Sequence, residues 1–154
     1  MFNEILVAVK FSAAGAQALK MAVQLAGVHA ARLHVFHALD YRLKELEPND
    51  PDLIDRRKQT EARFETEFHS ILGDHKKMAY AVYPADPGLE VCKLANDLNA
   101  DLIVLGCHQR REIAAMGRLD YVGMTILEKA PCPVMLVPTI TKAEPASAPD
   151  RAGQ

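Results

Sequence analysis

Ala100-Asp101-Leu102-Ile103-Val104-Leu105-Gly106 is the stretch that decides the fold. A run of large apolar residues between a carboxylate and a glycine leaves neither face suited to water, which is how a strand covered on both sides of a parallel sheet reads. Ile5-Leu6-Val7-Ala8-Val9 repeats the pattern near the start of the chain, and Val134-Met135-Leu136-Val137 repeats it after Pro131 and Pro133. Leu33, Val35, Phe36 and Leu39, interrupted by His34 and His37, mark a further strand, and Met78 to Tyr83 another.

Helical segments separate these strands. Ser12 is placed to cap a helix from about Ala13, with Ala18, Leu19, Ala22, Leu25 and Ala26 on one broad face. Leu43 to Asp52 is charged and holds Pro48 and Pro51, so a surface loop is expected there. A long helix over about Leu53 to Leu72 then turns Phe64, Phe68, Ile71 and Leu72 inward, keeps Arg56, Arg57, Lys58, Glu61 and Glu65 wet, and stops at Gly73. Asp86 caps the next helix with Pro87 in its first turn, and Leu89, Cys92, Ala95 and Leu98 are expected to face the sheet. Val122, Gly123, Ile126, Leu127 and Ala130 suggest the last helix. Strands and helices alternating in this way predict an α/β fold, an open doubly wound five-stranded parallel sheet with helices on both faces.

The totals exclude several classes. At 154 residues the chain has room for one domain, here 1–138, and the Pro- and Ala-containing 139–154 lacks an apolar period and is expected to be a flexible tail. A formal charge of -2 provides no phosphate-tracking surface, so nucleic acid is not the expected partner. No basic leader precedes the first strand, and no segment approaches the roughly 20 apolar residues that cross a bilayer, so neither export nor a membrane is expected. Cys92, Cys107 and Cys132 are too few and too scattered for a disulfide framework, and free thiols in a reducing, cytoplasmic setting are the simpler reading.

In ordered combination these motifs resemble the universal stress protein family. Ile5 to Val9 leading to Ser12 is similar to the family's first strand and cap, and Leu33-His34-Val35-Phe36-His37 to its second strand. Ala85-Asp86-Pro87 resembles its Gly-Asp-Pro turn, with Ala85 in place of glycine. Ala100 to Gly106 and Ala130-Pro131-Cys132-Pro133-Val134 carry the likeness furthest, and together the motifs cover about residues 4–138. The resemblance implies strand order 3-2-1-4-5 and a homodimer that pairs the last strands. An apolar Val134 to Val137 edge gives that dimer a physical motive, since an unpaired strand edge is a liability that a symmetry mate removes.

In a sheet of that order the ligand crevice lies at the switch between the first and fourth strands. It is flanked here by Val9-Lys10-Phe11-Ser12 and by Gly106-Cys107-His108-Gln109-Arg110. Family members that bind ATP carry Gly, two residues, Gly, nine residues, then Gly with Ser or Thr, a nest of backbone amides that side chains would obstruct. This chain keeps Gly106 but has Gln109 at the second glycine, and counting back from Ala130-Pro131-Cys132-Pro133 puts Asp120 and Tyr121 at the final pair. Lys10 stands where nucleotide-binding relatives commonly have Asp, and Phe11 where Gly is common. The resemblance is therefore to a branch with a degenerate ATP-binding motif, and no cofactor is expected. Lys10, Arg110, Arg111 and Arg118 offer an alternative phosphate clamp, which keeps ATP or AMP open as ligands.

Nothing in the pattern demands turnover. Cys107 and His108 are adjacent without an identifiable third group to orient them, although a thiol near basic residues could be redox-active. His34 and His37 point to opposite faces of one strand and should not share a metal. Asp101 is expected to order the start of its strand, and Tyr121 reads equally well as packing. The reading is a non-catalytic, homodimeric structural or interaction module of the stress response, with protein partners. An ATP- or AMP-binding regulatory module is the alternative.

Overall fold

The computed structural model of the chain describes residues 1–107 and 120–139. In chain order the elements are β1 (Glu4–Ala8), α1 (Ala13–His29), β2 (Arg32–Leu39), a 3-10 turn (Tyr41–Glu45), α2 (Pro51–Leu72), β3 (Met78–Pro84), α3 (Pro87–Asp97), β4 (Leu102–Cys107), α4 (Tyr121–Lys129) and β5 (Val134–Pro138). All strands are parallel, in the order β3-β2-β1-β4-β5. The expected sheet is therefore the observed one.

Alternating side chains sort into two cores, as the pleat requires. Ile5, Val7, Leu33, Val35, Leu102 and Val104 pack against α1 and α2 through Ala18, Leu19, Ala22, Phe64 and Phe68. Leu6, Phe36, Ile103 and Leu105 pack against α3 and α4 through Val91, Cys92, Ala95 and Ile126. The alanines let α1 ride close over the centre of the sheet. The approach is tightest at its first turn, where a Cβ on Gly15 would lie 1.8 Å from the Lys10 carbonyl oxygen.

The helix ends follow from local chemistry. Ser12 accepts from the Gly15 amide at 3.1 Å, and Asp86 from the Leu89 amide at 3.1 Å with Pro87 behind it. Gly73 ends α2 at φ 52, a left-handed conformation that glycine adopts without a Cβ penalty. Asp101 orders the entry to β4 by accepting from the amides of Asn3 at 2.6 Å and Glu4 at 2.9 Å, which ties β4 to β1.

Three expectations need correction. The stretch after β2 is not a plain loop: Asp40 caps the 3-10 turn by accepting from the Arg42 amide at 2.9 Å, and Leu43 and Leu46 pack on Leu39, Leu53 and Val82. α2 begins at Pro51, earlier than expected, because Asp50 caps it and proline fits the first turn. Leu89 is 47% exposed and does not face the sheet; Gly88 and Val91 take that side, and a Cβ on Gly88 would lie 2.9 Å from the Thr125 Cβ of α4. Close helix contact at a glycine, rather than a leucine anchor, sets the rotation of α3.

Candidate functional site

β1 and β4 are neighbours at the switch in strand order, with α1 packed on one face of the sheet and α4 on the other. Lys10 of the β1–α1 turn comes within 4.0 Å of Asp120 at the start of α4, which is where a sheet of this order places a ligand crevice. Val9, just after β1, is 4% exposed, with its amide donating to the Phe36 carbonyl at 2.9 Å. Lys10 follows with an exposed side chain, and its carbonyl accepts from the Ser12 amide at 2.9 Å. That compact turn aims the ammonium across the crevice while the backbone stays against α1.

Asp120 stands on the facing wall. Its Oδ1 accepts from the Gly123 amide at 2.8 Å and so caps α4, while its Oδ2 lies 4.0 Å from Lys10 Nζ. With 67% and 48% of the two side chains exposed, this ion pair stabilises the fold by no more than about 1 kcal/mol. Its consequence is chemical. The positive end of α4, which would draw a phosphate, already holds a carboxylate, and the nearest ammonium already faces that carboxylate.

Gly106 has a structural reason to be glycine: a Cβ there would lie 2.3 Å from the Ala14 carbonyl oxygen. The pressing of β4 against α1 is by itself a sufficient reason for glycine at this position. Tyr121 is 68% exposed at the first position of α4, and its carbonyl accepts from the Thr125 hydroxyl at 2.8 Å. Val9, Lys10, Gly106, Asp120 and Tyr121 therefore lie at the β1, β4 and α4 termini that border the crevice. Gln109 and Arg110 lie outside the described residues, as do His108, Arg111 and Arg118.

Burial and the neighbouring Asp120 push the Cys107 thiol upward in pKa, opposite to what a reactive thiolate needs. Burial likewise raises Cys92 and Cys132. His34 Nε2 lies 2.5 Å from Glu4 Oε2, whereas His37 Nδ1 lies 2.7 Å from the Val9 carbonyl, so the two histidines sit at different ends and faces of β2. Among the described residues no group of three or more His, Cys, Asp or Glu is placed to hold a metal ion. No helix there is long and apolar enough to cross a membrane.

Sequence reasoning missed what stands behind Lys10. Phe11 stacks on Phe68 with centroids 5.5 Å apart, tilts against His37 at 4.8 Å, and lies under the Arg63 guanidinium at 4.3 Å. Those partners are far apart in the chain, so periodicity carries no trace of them. The capping role of Asp120, in contrast, had a signal: an aspartate just ahead of an apolar helical period reads as an N-cap.

The profile of the universal stress protein family matches residues 1–138. A search of curated proteins finds no match. Among solved structures, hypothetical protein MJ0577 is 23% identical with a TM-score of 0.73, over 92% of this chain and 99% of that one. A universal stress protein in complex with cAMP is 17% identical with a TM-score of 0.68, over 90% and 99%. The Archaeoglobus fulgidus universal stress protein in complex with dAMP is 18% identical with a TM-score of 0.59, over 88% and 97%. At these identities the likeness is one of fold.

Proposed function

The chain belongs to the universal stress protein family, and we propose that it is a non-catalytic regulatory module whose crevice takes an adenosine monophosphate rather than a triphosphate. The observation that carries this reading is the Lys10–Asp120 pair. With Asp120 capping α4 through the Gly123 amide, a carboxylate stands where a chain of phosphates would approach, which supports the degenerate motif disfavouring ATP. One phosphate needs only one cation, and an exposed Lys10 can exchange Asp120 for it in a charge-assisted contact. Two relatives of this fold are in complex with cAMP and dAMP, each a monophosphate. The upward shift of the Cys107 thiol argues against a thiolate nucleophile there, and three free cysteines fit a reducing compartment.

Assembly is the second part of the proposal. Pro133 and Thr139 bond to β4 through their carbonyl and amide, so the alternate residues Val134, Leu136 and Pro138 turn their backbone groups to the open edge of β5. Pairing that edge with a second copy would satisfy it.

Calorimetry on the full chain tests the ligand. AMP and cAMP should bind saturably and more tightly than ATP, and Lys10→Ala should weaken AMP about tenfold, the loss of one charge-assisted hydrogen bond. Asp120→Gly should tighten ATP more than AMP, since glycine caps α4 nearly as well and removes the repelling charge. The Asp120 carboxylate at the start of α4 also favours a second reading, a ligand-independent dimeric interaction module in which that charge keeps phosphates out. Absence of binding by all three nucleotides, with Asp120→Gly unchanged, would establish that reading instead.

A further inference from the structure

Beside Phe11, between the 3-10 turn and α2, lies a concavity of about 670 Å³. Arg56 and Arg63, two helical turns apart, project from one face of α2, and Arg42 meets them from the turn. Three guanidinium groups and one carboxylate, Asp40, thus line a groove in a chain whose formal charge is -2. From this juxtaposition we propose a second ligand site, for a compact oxyanion bearing at least two anionic groups, such as a small diphosphate or polycarboxylate.

The arginines are held in place but not used up. Asp40 engages Arg42 through Nε and one terminal nitrogen, at 3.1 Å and 2.6 Å. Arg63 is fixed by its Nε contact with Glu67 at 2.6 Å and by lying over the Phe11 ring, which leaves its terminal nitrogens free of that ion pair. Among the described residues no carboxylate approaches Arg56 within ion-pair distance. A guanidinium presents five N–H donors in a planar fork, so the three together supply more donors than one phosphate or carboxylate can accept. A ligand with two anionic groups uses them best.

The rest of the lining fits a polar ligand with an apolar side. His37 donates through Nδ1 to the Val9 carbonyl, so its Nε2 keeps a lone pair and can accept from a ligand hydroxyl. Leu39 and Leu43 supply the apolar wall. Phe11 is already engaged by the Phe68 ring and the Arg63 guanidinium, which hold it beside the arginines.

The test uses the full chain, with pyrophosphate and citrate as separate probes followed by calorimetry at low ionic strength. Saturable binding of either probe, weakened at least tenfold in Arg56→Gln and in Arg42→Gln, unchanged in Lys10→Ala, and reduced by added salt, is the expected result. These substitutions are on the surface, and unchanged thermal unfolding verifies that the variants fold. Binding that disappears in Lys10→Ala while surviving Arg56→Gln places the anion in the crevice and overturns the proposal, as does no saturable binding of either probe. Absence of binding by either probe leaves the AMP reading untouched, so the two sites are tested separately.

Discussion

A single side chain, His37, shows how burial and one hydrogen bond set a titration. Burial lowers its pKa below the ordinary 6.5, the bond to the Val9 carbonyl opposes this, and the Arg63 charge adds to the lowering. The unfolded chain therefore takes up the proton first as pH falls. The stability His37 contributes is present above about 6.5 and lost as the pH drops from there toward the lowered folded value. Urea unfolding at about pH 7.5 and about pH 5.5 checks it: wild type should lose more stability on acidification than His37→Gln, and equal losses would contradict the sign. Asp40 is lowered as well but for another reason, brought to about 2 by its hydrogen bonds to the paired Arg42 while staying in solvent. Little of this was legible in the sequence, which placed His37 on a strand but could not see Val9, Phe11 and Arg63 around it.

Elements, by contrast, could be read closely, because their signals are local. Ser12 and Asp86 announce helix starts through side-chain oxygens, and the apolar runs at Ile5 and Leu102 announce strands covered on both faces. Where expectation failed, the deciding contact was between elements. Leu89 looked like a core anchor by spacing, yet the close meeting of Gly88 with Thr125 turns it outward. α1 makes the same point testable, since two of its glycines stand in opposite surroundings. Gly15→Ala puts a methyl 1.8 Å from a backbone oxygen and should destabilise by about 2 kcal/mol or more. Gly27→Ala, with nothing within 4 Å of the added methyl, should stabilise by about 0.5–1 kcal/mol through the helix propensity of alanine. Chemical denaturation of the two variants beside wild type measures both signs.

For the whole molecule, strand order places the crevice at β1 and β4 and leaves β5 at an edge. The order came from family resemblance, since alternation of strands and helices alone does not rank the strands. The candidate site was legible as a location, and its residues as departures from a motif. What the departures do to each other, Lys10 meeting Asp120 and Asp120 capping α4, required coordinates. If β5 pairs with a second copy, sedimentation should give twice the 17.0 kDa chain mass. Leu136→Pro, which removes an outward amide without touching the β4 ladder, should shift it toward the single-chain mass with its circular dichroism intact.

The claim on which the function rests is that one phosphate displaces Asp120 from Lys10. Titrating the nitrogen-15-labelled chain with AMP and following its amide resonances addresses that directly. The largest shifts should fall on Val9, Lys10, Asp120, Tyr121 and Gly123, whose amide bonds to the Asp120 carboxylate. Shifts confined to other parts of the sheet, or none up to millimolar AMP, would contradict it.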